Sequence, residues 1–215
     1  MHSLAAHSEP VLSIDISSDG KILASGSQDK TVRVWSLSSF TEIKSLLGHR
    51  DTVSAVVFSH ATNTLFSGSH DSTIIVWNLE TFTIIKTLSD HNYKKILALS
   101  YNKYNESIAS GGADSKIIIW DAARLESRFT LDTNNNCSIN SLVFSPDGLR
   151  LASALNSVQE KLIHIWDLDT RQPTNTYSKD LAVINCISFS PDGNILAAGG
   201  TDQLISLWNP NIPNI

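Results

Sequence analysis

Histidine, serine and aspartate recur together at three places in this sequence: His7, Ser25 and Asp29; His49, Ser67 and Asp71; His91, Ser110 and Asp114. A hydroxyl, an imidazole and a carboxylate are the parts of a nucleophilic triad, in which the base activates the hydroxyl and the acid orients the base. Seven histidines also invite a metal reading, since imidazole is a common zinc ligand. Spacing argues against both. Each copy of the set belongs to its own repeat, whereas metal ligands must converge on one point. No Gly-x-Ser-x-Gly elbow, phosphate-binding glycine loop or paired catalytic carboxylate stands apart from the repeat. His164 lies in the apolar run 162–166 and reads as a packed or edge residue. No catalytic residue, metal ligand or cofactor is expected.

What must position these residues is a repeated unit. The tryptophans stand at 35, 77, 120, 166 and 208, so successive steps are 42, 43, 46 and 42 residues. A period of that size points to stacked supersecondary units. In the second unit, Val53–Phe58 reads as a strand of apolar, β-branched and aromatic residues. Strands over 63–67, 73–77 and 83–88 follow, separated by turns at 59–62 and 68–72. The third strand is apolar nearly throughout and should be covered on both faces, while the fourth is mixed and should be an outer edge. Pro173 falls in that fourth slot, where a missing N–H is tolerated. Such a sheet cannot bury two apolar faces alone, so the sheets must stack, and strand twist turns the stack into a ring. The expected architecture is an all-β propeller of five four-stranded antiparallel blades.

The bulk composition agrees. Hydrophobic residues make up 41% and charged residues 17% of 215, a balance that suits a folded chain. A net charge of −5 without a run of Lys or Arg disfavours nucleic acid as the partner. The N-terminus lacks the cationic flank and apolar core of a signal peptide, and no window approaches the ~20 apolar residues of a membrane span. Cys137 and Cys186 read as buried thiols of an intracellular chain, cytoplasmic or nuclear, without a disulfide framework.

The Gly-His opening at 48–49, the Ser-Gly-Ser-x-Asp turn at 67–71 and the closing Trp-Asp at 120–121 resemble the WD-repeat (WD40, transducin beta-like) family of β-propellers. The resemblance runs over nearly the whole chain, with repeats near 7–47, 48–89, 90–132, 133–178 and 179–210. It implies that each His, Ser and Asp set joins its tryptophan, Trp35, Trp77 or Trp120, in a hydrogen-bonded tetrad inside one blade. Repeats four and five depart from it. Asn134 and Asp180 replace the histidine, Ala198 replaces the fifth serine, and the fourth turn lengthens to 154–160. Those blades should depend on apolar packing and open first.

The resemblance also implies that residues 1–6 supply the outer strand of the last blade. Five repeats would then be a small closed ring, part of a larger propeller of about seven blades, or an arc completed by missing blades or an oligomer. The family's usual binding face carries Gln28, Arg50, Asp51, His70, Asn92, Tyr93, Lys94 and Ala113, with Asn156 and Gln159 in the long turn beside them. A cullin-adaptor motif, Trp-Asp-x-Arg, is not matched: Ala123 and Asp169 stand at the arginine positions. The expected role is a non-catalytic scaffold or adaptor for proteins or peptides, with no membrane partner. The alternative is a regulatory or sensor segment of a larger multidomain protein, such as a signalling enzyme or a ubiquitin-ligase substrate receptor.

Overall fold

A computed structural model describes residues 2–133, 136–158, 161–178 and 183–211, and every strand or helix among them is a β-strand. The first sheet comprises β1 (Val11–Ile16), β2 (Ile22–Ser27), β3 (Val32–Ser36) and β4 (Thr41–Leu46). The second holds β5 (Val53–Phe58), β6 (Thr64–Ser69), β7 (Ile74–Asn78) and β8 (Ile84–Leu88). The third holds β9 (Ile96–Asn102), β10 (Ser107–Gly112), β11 (Lys116–Asp121) and β12 (Glu126–Asp132). The fourth holds β13 (Ser138–Phe144), β14 (Arg150–Asn156), β15 (Lys161–Asp167) and β16 (Gln172–Ser178). The fifth has three strands, β17 (Ile184–Phe189), β18 (Leu196–Gly200) and β19 (Ile205–Trp208).

These are the blades of a β-propeller. The third strands β7, β11 and β15 are buried almost throughout, whereas β4 and β8 are exposed along most of their length. Pro173 does lie in an outer strand, opposite Trp166. The inner strands pack side by side, β1 on β5, β5 on β9, β9 on β13 and β13 on β17, and the apolar core lies between consecutive sheets. Ala24, Val32 and Val34 of the first blade meet Val53, Val56 and Phe58 of the second. Gly26 permits that approach, since a Cβ there would lie 2.7 Å from Val53 Cγ1. Polar rungs stitch the inner strands. Val56 N–H donates to Ser13 Oγ at 3.0 Å, Phe144 N–H to Ser100 Oγ at 3.2 Å and Ile187 N–H to Ser141 Oγ at 3.2 Å.

Among the described residues the sheets form an open arc, one of the alternatives the sequence leaves, and residues 2–6 form no strand. They stay with the first blade, where His2 stacks on Phe40 at 4.1 Å between ring centroids. The fourth turn is shorter than 154–160, because 154–156 extend β14 and Asn156 pairs with Lys161 across the hairpin. The three extra residues are absorbed as ladder rather than loop. Finally, Cys137 is buried but Cys186 is exposed, on a face of β17 that no other described strand covers.

Candidate interaction face

The three histidine sets assemble as hydrogen-bonded chains. In the first blade, Trp35 Nε1–H donates to Ser25 Oγ at 2.9 Å, Ser25 Oγ lies 2.7 Å from His7 Nε2, and His7 Nδ1 lies 2.8 Å from Asp29 Oδ2. The second blade repeats this with Trp77 to Ser67 at 2.7 Å, Ser67 to His49 at 2.8 Å and His49 to Asp71 at 2.9 Å. The third has Trp120 to Ser110 at 2.8 Å, Ser110 to His91 at 2.7 Å and His91 to Asp114 at 3.0 Å. A carboxylate only accepts, so Nδ1 carries the proton toward aspartate, and Nε2 of a neutral ring accepts the serine hydroxyl. The serine is thus held as a donor to imidazole inside the sheet and is not presented to a substrate. Among the described residues, no three His, Cys, Asp or Glu side chains gather as a metal site.

Each aspartate also shapes its own turn. Asp29 Oδ1 accepts Thr31 N–H at 3.0 Å and Asp71 Oδ1 accepts Thr73 N–H at 3.0 Å, an Asx turn that places the intervening residue at positive φ. That residue is Lys30 at φ 70° and Ser72 at φ 72°. The Thr31 and Thr73 hydroxyls donate to the same carboxylates at 2.6 Å. Sequence reading missed both threonines, though Asp-x-Thr recurs in the two turns; Lys116 stands there in the third blade. Burial opposes ionisation of Asp71, but hydrogen bonds from His49, Thr73 and the Arg50 amide outweigh it and hold the carboxyl well below its usual range. Asp29 and Asp114 are lowered by the same balance, against burial, with Thr31 and His7 leading for the former and His91 for the latter.

The fourth blade keeps half of this chain. Trp166 Nε1–H donates to Ser153 Oγ at 2.9 Å, a serine that sequence reading passed over because the longer turn puts it 13 residues before its tryptophan rather than 10. Buried His164 sits edge-on to Trp166 at 5.5 Å, but its Nδ1 has no hydrogen-bond partner among the described residues. Asn134, Asp180 and Glu160 lie outside the described residues.

The tetrads fix one end of the blades, where two sets of loops interlock. Gln28 N–H donates to Pro10 O at 3.0 Å, His70 N–H to Thr52 O at 2.9 Å and Ala113 N–H to Lys95 O at 2.9 Å. Arg50 N–H donates to Asp71 Oδ2 at 2.8 Å, which leaves its exposed guanidinium at the surface. Asp51 is held below its ordinary value by the Thr52 amide and by nearby His70, Lys30 and Lys95. His70 is pushed down by burial and by Lys95, against the pull of Asp51. His70, Lys30 and Lys95 therefore lie within electrostatic reach of Asp51 across the first three blades, and neither lysine was among the face residues expected from sequence. Beside them, Asn92 and Tyr93 sit at φ 45° and 58°, held by Lys94 N–H on His91 O at 2.7 Å. Tyr93 is 97% exposed.

One of the expected face residues falls elsewhere. The Asn156 amide bridges β14 to β17, donating to Ile184 O at 2.9 Å and accepting from Ile184 N–H at 2.8 Å, so it holds blades together instead of facing a partner. Gln159 lies outside the described residues.

Known proteins carry the same unit. A family model described as "WD domain, G-beta repeat" matches residues 1–36, 40–78, 82–121, 125–167 and 171–209. The chain belongs to the WD-repeat family. Each matched unit ends one residue after a tryptophan and is staggered by one strand against the sheets, so that 40–78 spans β4 to β7. Protein transport protein sec13 of Aspergillus oryzae is 34% identical over 77 residues, which cover 34% of this chain and 26% of that protein. Small ribosomal subunit protein RACK1 of Schizosaccharomyces pombe is 35% identical over 92 residues, covering 39% of this chain and 28% of its own. A WD repeat-containing protein WDS homolog of Arabidopsis thaliana is 29% identical over 68 residues, or 31% and 13% of the two chains. The matched stretches thus span about a quarter or less of these relatives. Interaction scaffolds are typical of WD-repeat proteins.

Proposed function

We propose that this chain is a non-catalytic scaffold that holds a protein or peptide segment on the loop face of its first three blades. The observation that carries the reading is Tyr93, a fully exposed aromatic fixed at positive φ two residues after His91, whose ring is locked in the third tetrad. A bulky residue in the left-handed region is strained, and such strain gathers at binding sites. Exposed aromatic and arginine side chains are the usual anchors of interfaces, and Arg50 lies one blade away. Gln28, Asp51, His70, Asn92, Lys94 and Ala113 form the surround. Lys30, Arg50, Lys94 and Lys95 outnumber Glu9 and Asp51 there, which favours a segment with carboxylates at its centre. The serines of the tetrads are tied to buried imidazoles, which supports a role without catalysis. Free Cys137 and an exposed free Cys186 fit a reducing compartment, cytoplasmic or nuclear.

The test is affinity capture with the 215-residue chain beside its Tyr93→Ala and Lys95→Glu variants, followed by titration of each captured protein. Loss of an aromatic anchor should weaken binding by about 30-fold with the melting temperature unchanged. Partners that bind all three chains equally would refute this placement of the face.

A further inference from the structure

In the first, fourth and fifth blades an aspartate closes the turn between the first and second strands. Asp19, Asp147 and Asp192 each accept the hydroxyl of the serine two residues back, at 2.7, 2.5 and 2.5 Å. Each also accepts the amide two residues on, at 3.1, 2.9 and 3.1 Å. Counted from the strand ends, Tyr104 stands at that position in the third blade. A phenol ring cannot close the turn in this way, and buried Asn102 does so instead. It accepts Tyr104 N–H at 3.0 Å and donates to Gly148 O of the fourth blade at 2.8 Å. Gly148 packs so closely that a Cβ there would lie 2.6 Å from Asn102 Oδ1 and 2.8 Å from Tyr104 Cδ2. Tyr104 is thus pinned at a joint between blades and still 63% exposed.

Beside it opens a cleft of about 180 Å³ walled largely by rings: His60 of the second blade, Tyr101 and Tyr104 of the third, and Phe144 and Pro146 of the fourth. His60 stacks on Tyr101 at 5.2 Å between ring centroids, with 17° between the planes. These three blades are internal, with a described blade on either side of them. Antiparallel strands reverse direction at each turn, so the cleft lies at the end of the blades opposite the tetrads. Its volume is below the roughly 300–1,000 Å³ of small-molecule pockets and suits one inserted side chain. Lys103 also lines it, with Nζ 5.1 Å from the Tyr104 ring centroid. The nearby carboxylates do not offset that charge inside the cleft. Asp15 spends its oxygens on the Ile16 and Phe58 amides, and Asp147 Oδ2 faces Arg150 at 3.9 Å. Glu106 belongs to the neighbouring cleft, with Arg124 and Arg128.

We propose that this cleft docks an extended segment of another protein, with a proline ring among the aromatic faces and a carboxylate beside Lys103. Aromatic-lined grooves hold proline-rich segments in their preformed extended helix. That helix leaves its carbonyls without internal partners. The Tyr101 hydroxyl accepts from Ser59 Oγ at 3.4 Å and keeps its own proton for such a carbonyl. A methylated ammonium would seek the same ring faces, but Lys103 repels a second cation there and attracts an acidic neighbour of the proline. The chain then holds one segment at each end of its blades.

The probe is a fluorescein-labelled peptide, Gly-Pro-Pro-Glu-Pro-Pro-Gly, titrated against the 215-residue chain by fluorescence anisotropy. Tyr104→Ala should weaken binding about tenfold, and Tyr93→Ala at the other end should leave it unchanged. Lys103→Glu should weaken it about threefold, and a peptide with Lys in place of Glu should recover that loss on the Lys103→Glu chain. Melting curves establish that the variants fold, and the charge exchange stands by itself if Tyr104→Ala does not. Replacing the four prolines by alanine should abolish binding. Equal binding of the alanine peptide would overturn the proposal, as would a titration that neither cleft variant changes. Tighter binding of a trimethyllysine peptide would overturn it in favour of a cation cage.

Discussion

In the second blade Ser67 is reached by His49 Nε2 at 2.8 Å and by Trp77 Nε1 at 2.7 Å, and Asp71 closes the chain at 2.9 Å. In the fourth, Ser153 is reached by Trp166 Nε1 at 2.9 Å, and the buried imidazole nearby, His164, leaves Nδ1 without a partner. In the fifth, Ala198 replaces the serine and Trp208 leans on the Tyr177 ring at 5.5 Å. Apolar packing is similar through the first four blades, so the difference between them is polar. A buried network in which every member is paired makes local opening costly, while a partial one leaves a desolvated group with no compensation. The first three blades should therefore form the firm part of the molecule, and the candidate face is built on them.

The comparison can be broken most directly at Asp71. Asp71→Ala removes the acceptor of His49, of the Thr73 hydroxyl and amide, and of the Arg50 amide. The expected loss is about 3 kcal/mol by urea unfolding. Ser67→Ala should follow at about 2 kcal/mol, because it strands one indole and one imidazole. Ser153→Ala should cost only about 1 kcal/mol, since one indole N–H is left unpaired. Equal losses for the two serines would erase the distinction between the blades.

Acid sharpens the contrast. The carboxyls of Asp29, Asp71 and Asp114 are depressed in the folded chain. Their contribution is complete above the unfolded value near 4 and disappears as pH falls through the lower folded value. His164 is a base depressed by burial, so its neutral form is favoured by folding. Stability at that position is full above about pH 6.5 and is lost as pH falls from there. The fourth blade should loosen as pH falls from about 6.5 toward the carboxylate range, before the first three respond. The smallest expected effect is that of His164→Leu, which should flatten this early slope and leave neutral-pH stability within about 1 kcal/mol of the parent. A parent whose stability is flat over that interval would count against the buried imidazole.

The propeller was legible because its signals repeat. Tryptophans at 35, 77 and 120 gave the register, and the sets at His7, His49 and His91 met at hydrogen-bond distance where the resemblance implied. Thr31 and Thr73 were less visible because a threonine after a turn is also an ordinary strand residue. Asn156 was misplaced for a geometric reason: a three-residue insertion can lengthen a loop or a hairpin, and only the pairing of Asn156 with Lys161 decides which. Cys186 read as buried because an inner-strand position is buried wherever a following blade exists. Lys30 and Lys95 were left off the expected face because they belong to different blades, and proximity across blades has no signature along the chain.

The most direct test of the two-part molecule is native-state hydrogen exchange on the 215-residue chain. The amides of β2, β3, β6, β7, β10 and β11 should exchange last, those of β14 and β15 earlier, and those of β18 and β19 first. Protection that is uniform over the five blades, or highest in the fifth, would contradict the claim that the complete tetrads are what hold the interaction face rigid.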